Sequence, residues 1–98
     1  MREASTVPQV FRIGSYLVYF WSDESHPLEP IHVHVSQGTP RENATKIWIT
    51  STGHCLLANN RSDIPARQLR LIMKTVEAHH QAIEEQWFSY FGELSYYC

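Results

Sequence analysis

The sequence predicts an α+β fold, a small antiparallel sheet of about four strands with one long C-terminal amphipathic helix packed across it. Up to about residue 58, apolar and polar residues alternate in short runs, which is the period of strands with one buried face. Beyond Asp63 the apolar residues recur at helical spacing, at Leu69, Ile72, Met73, Val76, Ile83 and Trp87. Laying one helix across the sheet buries the apolar surface of both.

The predicted strands are separated by short polar loops. Residues 11–21 are rich in aromatic and β-branched side chains, and they predict a short strand, a turn at Gly14-Ser15 and a longer strand over residues 16–21. Further strands are expected over residues 31–37, 44–50 and 54–58. This order favours an antiparallel meander with one face on the core and the other on solvent.

One domain accounts for the length of 98 residues. The helix is expected to begin near Asp63, with Asp63 or Ser62 as its cap and Pro65 in its first turn, and to end near Tyr90. The chain then divides into an N-terminal tail or lead-in over residues 1–10, a single α+β domain over 11–92 and a C-terminal tail over 93–98.

Composition limits the classes of function. The net charge of −2 excludes a generally polycationic protein, so contact with nucleic acid needs a local basic patch. Cys55 and Cys98 are too few for a disulfide framework, which indicates a reducing compartment. Met1 to Ser5 lacks the apolar core of a signal peptide, and the apolar run 16–21 is far shorter than the ~20 residues of a membrane helix. These observations predict a soluble, cytoplasmic domain, and no residue pattern indicates a cofactor.

The run Ile31-His32-Val33-His34-Val35 alternates strictly between aliphatic side chains and imidazoles. In a strand, the three aliphatic side chains therefore lie on one face and both imidazoles on the other. Imidazoles titrate near neutral pH and can bind metal, transfer protons or contact phosphate. The alternative interpretation is a pair of ordinary polar residues on a solvated face.

A metal site at this pair needs more ligands than the pair supplies. A catalytic zinc takes three protein ligands and a structural zinc takes four. His26, in the preceding loop, offers a third nitrogen, but the sequence has neither a CxxC pair nor an HExxH motif. No metal site is therefore predicted, and a His-ligated metal-binding domain stays open only as an alternative.

Lys46 and Trp48 are expected beside the imidazoles. Their alternation places them on the same side as His32 and His34 if the two strands are neighbours. An imidazole pair, a cation and an aromatic plate suit a nucleotide or phosphodiester. They also suit metal-independent acid–base cleavage of RNA, in which one group takes a proton and another gives one. A protein partner covering the same surface fits the pattern equally well.

The predicted helix carries a second set of candidates. Arg67, Arg70 and Lys74 share one face near its start, where the helix dipole already attracts anions, and predict a phosphate-binding patch that Arg61 extends. A solvated face of mixed charge is the alternative. His79 lies at the edge of the apolar stripe and is the functional candidate, whereas its neighbour in the stripe is expected to be a core histidine.

Three segments together resemble a small bacterial family of unknown function, namely FRIGSYLVYFWSDESHPLEPIHVHVSQG, ATKIWITSTGHCLLANN and IPARQLRLIMKTVEAHHQAIEEQW. The shared pattern has a proline-rich loop before HxH, a strand ending in glycine, and a helix that opens with Pro-x-Arg-x-Leu and later carries His and Trp. It falls on Pro30, His32, His34, Gly38, Gly53, Pro65, Arg67, Leu69, His79 and Trp87. The resemblance covers about residues 11–91.

Some members of that family are regarded as DhiT-type toxins of type II toxin–antitoxin modules. The resemblance therefore implies a growth-inhibiting toxin that a cognate antitoxin protein neutralises. Joined with the residue patterns, it predicts action on RNA or another phosphate-bearing target, with catalysis by His32, His34, Arg67 and His79 and binding by Lys46, Trp48, Arg70 and Lys74. A non-enzymatic module that binds a protein or nucleic acid as a regulator is the alternative.

Overall fold

A computed structural model describes residues 7–22 and 27–98 and shows an α+β architecture. Its single sheet contains five strands: β1 (Gln9–Ile13), β2 (Tyr16–Tyr19), β3 (His32–Gln37), β4 (Thr45–Ile49) and β5 (Cys55–Asn59). The strands are all antiparallel and follow one another in chain order, β1-β2-β3-β4-β5. The meander is as predicted, and the expected number of about four strands is corrected to five.

The additional strand is β1, which begins at Gln9. It turns at Gly14-Ser15 and pairs back along β2, with Ile13 opposite Tyr16. Gly14 has a φ of 59°, a left-handed conformation that costs glycine little. The turn thus separates a short strand from a second strand, as the sequence predicts for residues 11–21.

The helical segment is two helices, α1 (Ala66–Ala78) and α2 (His80–Phe91), rather than one long helix. The break is at His79, whose φ of −112° and ψ of 20° are not helical. Its ring Nδ1–H donates to the carbonyl of Thr75 at 2.9 Å, and its backbone N–H bonds to the same carbonyl. α1 therefore ends at Ala78, and α2 begins at His80.

The start of α1 also differs from the expectation. Pro65 is the residue before the first helical one, and no side chain caps the helix. The two expected caps are used elsewhere, because Asp63 is in a left-handed conformation and the Ser62 hydroxyl bonds to the strands. The helix therefore begins close to the predicted position, but the predicted side-chain cap is absent.

The main core lies between the helices and one face of the sheet, called here the helix face. Aliphatic residues of β3 and β4 pack there against both helices, and the buried set includes Val33, Val35, Ile47, Ile49, Ile72, Val76, Ile83 and Trp87. These side chains are essentially inaccessible to solvent. Burial of this surface is the main source of the domain's stability.

Residues 93–98 cross the end of the sheet where β3 begins and β4 ends. The carbonyl of Ser95 accepts from Ile31 N–H at 2.8 Å, and that of Cys98 accepts from Ser51 N–H at 2.9 Å. The Tyr96 hydroxyl donates to Glu84 on α2. The segment thus packs as a strap over the open end of the sheet. Within the described ranges, neither helix has the length and apolar character needed to cross a bilayer.

Substitution of Gly53, in the β4–β5 turn, tests whether this turn packs against α2. The φ of Gly53 is 82°, and a Cβ added there would lie 2.9 Å from Nε2 of His80. Gly14 has a similar φ and open space around it. Gly14→Ala should therefore lose about 1–2 kcal/mol of unfolding free energy from backbone strain alone. Gly53→Ala should lose a further ~1–3 kcal/mol from crowding.

The measurement is urea unfolding of both variants beside the unmodified chain. Because both substitutions add the same methyl group at a left-handed residue, their difference isolates the contact with His80. Equal losses would contradict the packing of α2 against this turn.

Candidate functional site

The register of β3 and β4 brings four predicted site residues together. His32 is opposite Trp48, and His34 is opposite Lys46, so all four side chains are on the same side of the sheet. Tyr19 on β2 is opposite His34 and joins them. We call this side, defined by these five residues, the histidine face.

The rings of the histidine face are in mutual contact. The centroids of His32 and His34 are 4.9 Å apart with their planes nearly perpendicular, and Trp48 lies 5.6 Å from His32. Tyr19 lies 5.7 Å from His34 on the other side. Spacings of this kind are those of packed aromatic side chains in protein interiors.

Burial corrects the expectation that this side of the sheet faces solvent. His32 is fully buried and His34 is only 9 % exposed. The loop at Arg41 folds over the face, because the Tyr19 hydroxyl donates to the Arg41 carbonyl at 2.8 Å and accepts from its N–H at 2.9 Å. At the other end, Tyr97 of the C-terminal strap stacks on Trp48 with centroids 4.6 Å apart.

His32 is fixed in one orientation. Its Nδ1 lies 2.9 Å from the Pro30 carbonyl, and since a carbonyl only accepts, Nδ1 carries the proton and donates. Nε2 is then the basic nitrogen of the neutral ring. Such a bond offsets the cost of burying a polar ring.

Lys46 connects this interior layer with the surface. Its ammonium group bonds to Glu29 and lies 4.3 Å from the centroid of the Trp48 ring. The same Glu29 oxygen is 3.9 Å from Nδ1 of His32. A carboxylate thus stands between an imidazole and an ammonium group at the rim of the face, where charges that can bind or exchange protons meet solvent.

The helix candidates lie on the opposite side of the sheet. Arg67, Arg70, Lys74 and His79 belong to or directly follow α1, which packs on the helix face, and all four are exposed. The ring of His79 packs against Phe11 with centroids 5.2 Å apart. The structure therefore does not bring Arg67 or His79 together with the imidazole pair.

Two members of the helix set share a groove. Arg70 and Lys74 line an open depression of 440 Å³ together with Met73 and Glu77. Glu77 also accepts from the backbone N–H of Cys55 on β5. The groove is thus a separate surface, and Arg67 does not line it.

Sequence patterns missed several residues that shape the histidine face. Tyr19 is signalled by the period of its strand, which places it level with the imidazoles. Glu29 and Tyr97 belong to irregular segments, for which no period indicates a position. Among the described residues, no group of three or more His, Cys, Asp or Glu side chains is arranged to hold a metal ion. His26 lies outside the described residues.

The family known as a domain of unknown function, DUF4160, matches residues 15–88. The chain belongs to this family. The DUF4160 match extends from the turn before β2 into α2, and includes both imidazoles, Lys46 and Trp48. It leaves out β1 and the strap that carries Tyr97. Searches of curated proteins and of solved structures found no significant match.

Cys55 is the one partly buried thiol, and its surroundings suppress its reactivity. Burial, followed by the charge and hydrogen bonding of Glu77, raises the pKa of Cys55 to about 12. Its Sγ lies 3.4 Å from the Met73 carbonyl. Since the thiolate is the nucleophile, this environment keeps Cys55 in its unreactive form at neutral pH.

We expect Cys55 to react slowly with a disulfide reagent in a Cys98→Ser variant at pH 8. A pKa of about 12 leaves a thiolate fraction on the order of 10⁻⁴, against roughly a quarter for an ordinary thiol of pKa ~8.5. Labelling should be faster in Glu77→Gln, because the carboxylate charge that helps to raise the pKa of Cys55 is removed. The rate should still be lower than that of the unfolded chain, because Cys55 stays partly buried. Labelling as fast as that of a free thiol would contradict the burial of Cys55.

Proposed function

We propose that this chain is the toxin of a bacterial type II toxin–antitoxin pair, which inhibits growth, is neutralised by a partner antitoxin, and acts on RNA or another phosphate-bearing target at the histidine face. The resemblance of the three sequence segments to a family with members regarded as such toxins supports the proposal. The observation that carries the choice of site is the position of His34 beside Lys46 at the rim of a buried imidazole layer.

The rim has the chemistry that a nucleic-acid ligand requires. Lys46 supplies an ammonium group, and a protonated His34 supplies a second donor that bonds well to phosphate oxygens. Tyr97, 57 % exposed and stacked on Trp48, presents an aromatic surface on which a base can stack. Charge and stacking surface are therefore adjacent on one side of the domain.

We propose different roles for the two imidazoles because they differ in burial. His34 has the exposed edge and is the group proposed to contact the target. His32 has no exposed surface, so it acts as a positioning residue that holds the ring of His34 at a centroid distance of 4.9 Å. Acid–base cleavage in which both imidazoles touch the substrate requires the covering segments to open. The geometry therefore favours growth inhibition through binding of the target.

A regulator that binds protein or nucleic acid without chemistry is the second candidate. The burial of His32 favours it, since His34 is the only member of the imidazole pair with any solvent-exposed surface. Growth and RNA integrity after induction separate the candidates. Arrest with RNA loss indicates cleavage, arrest with intact RNA indicates a toxin that acts by binding, and normal growth indicates a regulator.

We expect His34→Ala and Lys46→Gln each to weaken growth inhibition when the chain is induced without its antitoxin. Losing one charge-assisted contact should reduce affinity for the target by about 10- to 100-fold. His54→Ala is the matched control, because that imidazole is exposed in the β4–β5 turn, away from the histidine face. Cell growth at graded inducer levels is the measurement.

His79→Ala and Arg67→Ala complete the experiment. Because these residues lie on the other side of the sheet, both variants should arrest growth as the unmodified chain does. Thermal unfolding of each purified variant separates loss of contact from loss of fold. The assignment to the histidine face would be contradicted if folded His34→Ala and Lys46→Gln kept full toxicity while His79→Ala or Arg67→Ala lost it.

A further inference from the structure

A polar cavity lies at the far end of the same side of the sheet, beyond His34. It measures 190 Å³ and its walls come from the end of β3, the loop before β4 and the loop after β5. Its lining residues are all polar or charged, and they are Ser36, Gln37, Arg41, Asn43, Arg61 and Ser62. We call this cavity the arginine pocket. Its volume is about six times the ~30 Å³ that one water occupies in the liquid.

The loop that carries Arg61 is held against the strands by hydrogen bonds on both sides of that residue. The Ser62 hydroxyl donates to the Val35 carbonyl at 2.8 Å and accepts from Thr45 N–H at 3.0 Å. The Thr45 hydroxyl donates to Oδ1 of Asn60 at 2.8 Å. The backbone at Arg61 is therefore fixed before any ligand arrives, which reduces the entropy lost on binding.

The loop that carries Arg41 is fixed in a similar way. Its backbone N–H and carbonyl both bond to the hydroxyl of Tyr19, which is fully buried. The same Tyr19 ring contacts His34. One wall of the arginine pocket is thus held in place by Tyr19 of the histidine face.

The charges of the arginine pocket are uncompensated by ion pairs within the described part of the chain. The ion pairs found there involve other residues, and neither Arg41 nor Arg61 takes part in one. The carboxylates of Glu42 and Asp63 belong to the same two loops but do not line the cavity. A third cation is near, because the Arg12 guanidinium donates to the Gly38 carbonyl at 3.2 Å.

We propose that the arginine pocket binds a phosphate group. Guanidinium groups bind phosphate through two parallel N–H···O bonds, and the pocket offers two of them from loops whose backbones are fixed. The side-chain amides of Gln37 and Asn43 provide further donors at its edge. This site is separate from the rim at His34 and Lys46, and it stands whether or not the chain is a toxin.

Two sources of the phosphate group fit the position of the pocket. One is free inorganic phosphate or a small phosphate ester. The other is the backbone of a nucleic-acid strand that also contacts His34, because Ser36 is two residues further along the same side of β3, about 7 Å away. The second source rests on the proposed function, and the first does not.

The experiment titrates the purified chain first with inorganic phosphate and then with a short single-stranded RNA, following backbone amide signals by NMR. Inorganic phosphate should shift the signals around Arg41 and Arg61. Arg41→Gln and Arg61→Gln should each weaken its affinity by about 10- to 100-fold, as expected for one lost charge-assisted contact. Arg41→Lys and Arg61→Lys keep the positive charge but lose the bidentate geometry of the guanidinium group, so their affinity for phosphate should be intermediate.

Arg67→Gln makes the same change of charge at the helix patch that the sequence predicts as a phosphate site. It should leave the affinity for phosphate unchanged. All the substituted side chains are exposed, so thermal unfolding should be unaffected. Equal affinity in a folded Arg41→Gln, Arg61→Gln double variant would overturn the proposal, as would loss of affinity in Arg67→Gln alone.

The two titrations separate the sources. Binding of inorganic phosphate that depends on Arg41 and Arg61 supports the pocket even if the chain proves harmless to cells. RNA binding that depends on these arginines, with no response to inorganic phosphate, supports the pocket as a backbone site. Absence of both responses in the unmodified chain overturns it, and leaves the growth experiment on His34 as a separate question.

Discussion

The central strand β3 is buried on both of its sides, and the arrangement of the rest of the molecule depends on that constraint. Five of its six residues are buried, although two of them are histidines. On the helix face, Val33 and Val35 need only apolar neighbours, which the helices supply. On the other side, the imidazoles need aromatic contacts and a partner for every buried polar atom. The Pro30 carbonyl provides that partner for Nδ1 of His32.

Irregular segments provide most of the cover of the histidine face, and Trp87 of α2 adds a contact with the His32 ring at a centroid distance of 5.3 Å. The loop at Arg41 is tied down by Tyr19, and the C-terminal strap brings Tyr97 onto Trp48. These covers leave only the edge of His34, Lys46 and the stacked rings in contact with solvent. The same anchoring of the Arg41 loop creates one wall of the arginine pocket. The stability of the domain and the two proposed binding surfaces therefore depend on the same contacts, so we expect substitutions at Tyr19 to affect both.

The sequence allowed the layout of the sheet to be predicted, because alternation fixes which side chains share a face. It placed Lys46 and Trp48 beside the imidazoles on the condition that the strands were neighbours, and they are. Burial of that face was not predictable, since the loop of residues 39–43 has no apolar run to indicate that it folds over Tyr19. An alternating pattern identifies two sides of a strand but not what covers each of them.

The helix break and the arginine pocket could not be predicted from the sequence, for related reasons. Val76 and Ile83 are seven residues apart, so the helical period passes through His79 without interruption, and the non-helical backbone of His79 leaves no mark on that period. Arg41 and Arg61 belong to loops twenty positions apart in the sequence. Only the order of β3, β4 and β5 brings those loops to one end of the sheet. Local sequence patterns carry no information on contacts between segments that are distant in the sequence.

The most direct test of the double burial of β3 is the state of the His32 ring, observed by NMR of its ring nitrogens. The structure requires the proton on Nδ1, donated to Pro30, in a ring with no exposed surface. We therefore expect the Nδ1–H tautomer and a ring N–H that exchanges slowly with solvent. A ring that carries its proton on Nε2 and exchanges as fast as that of the exposed His54 would show that the histidine face is open to solvent, and would contradict this account.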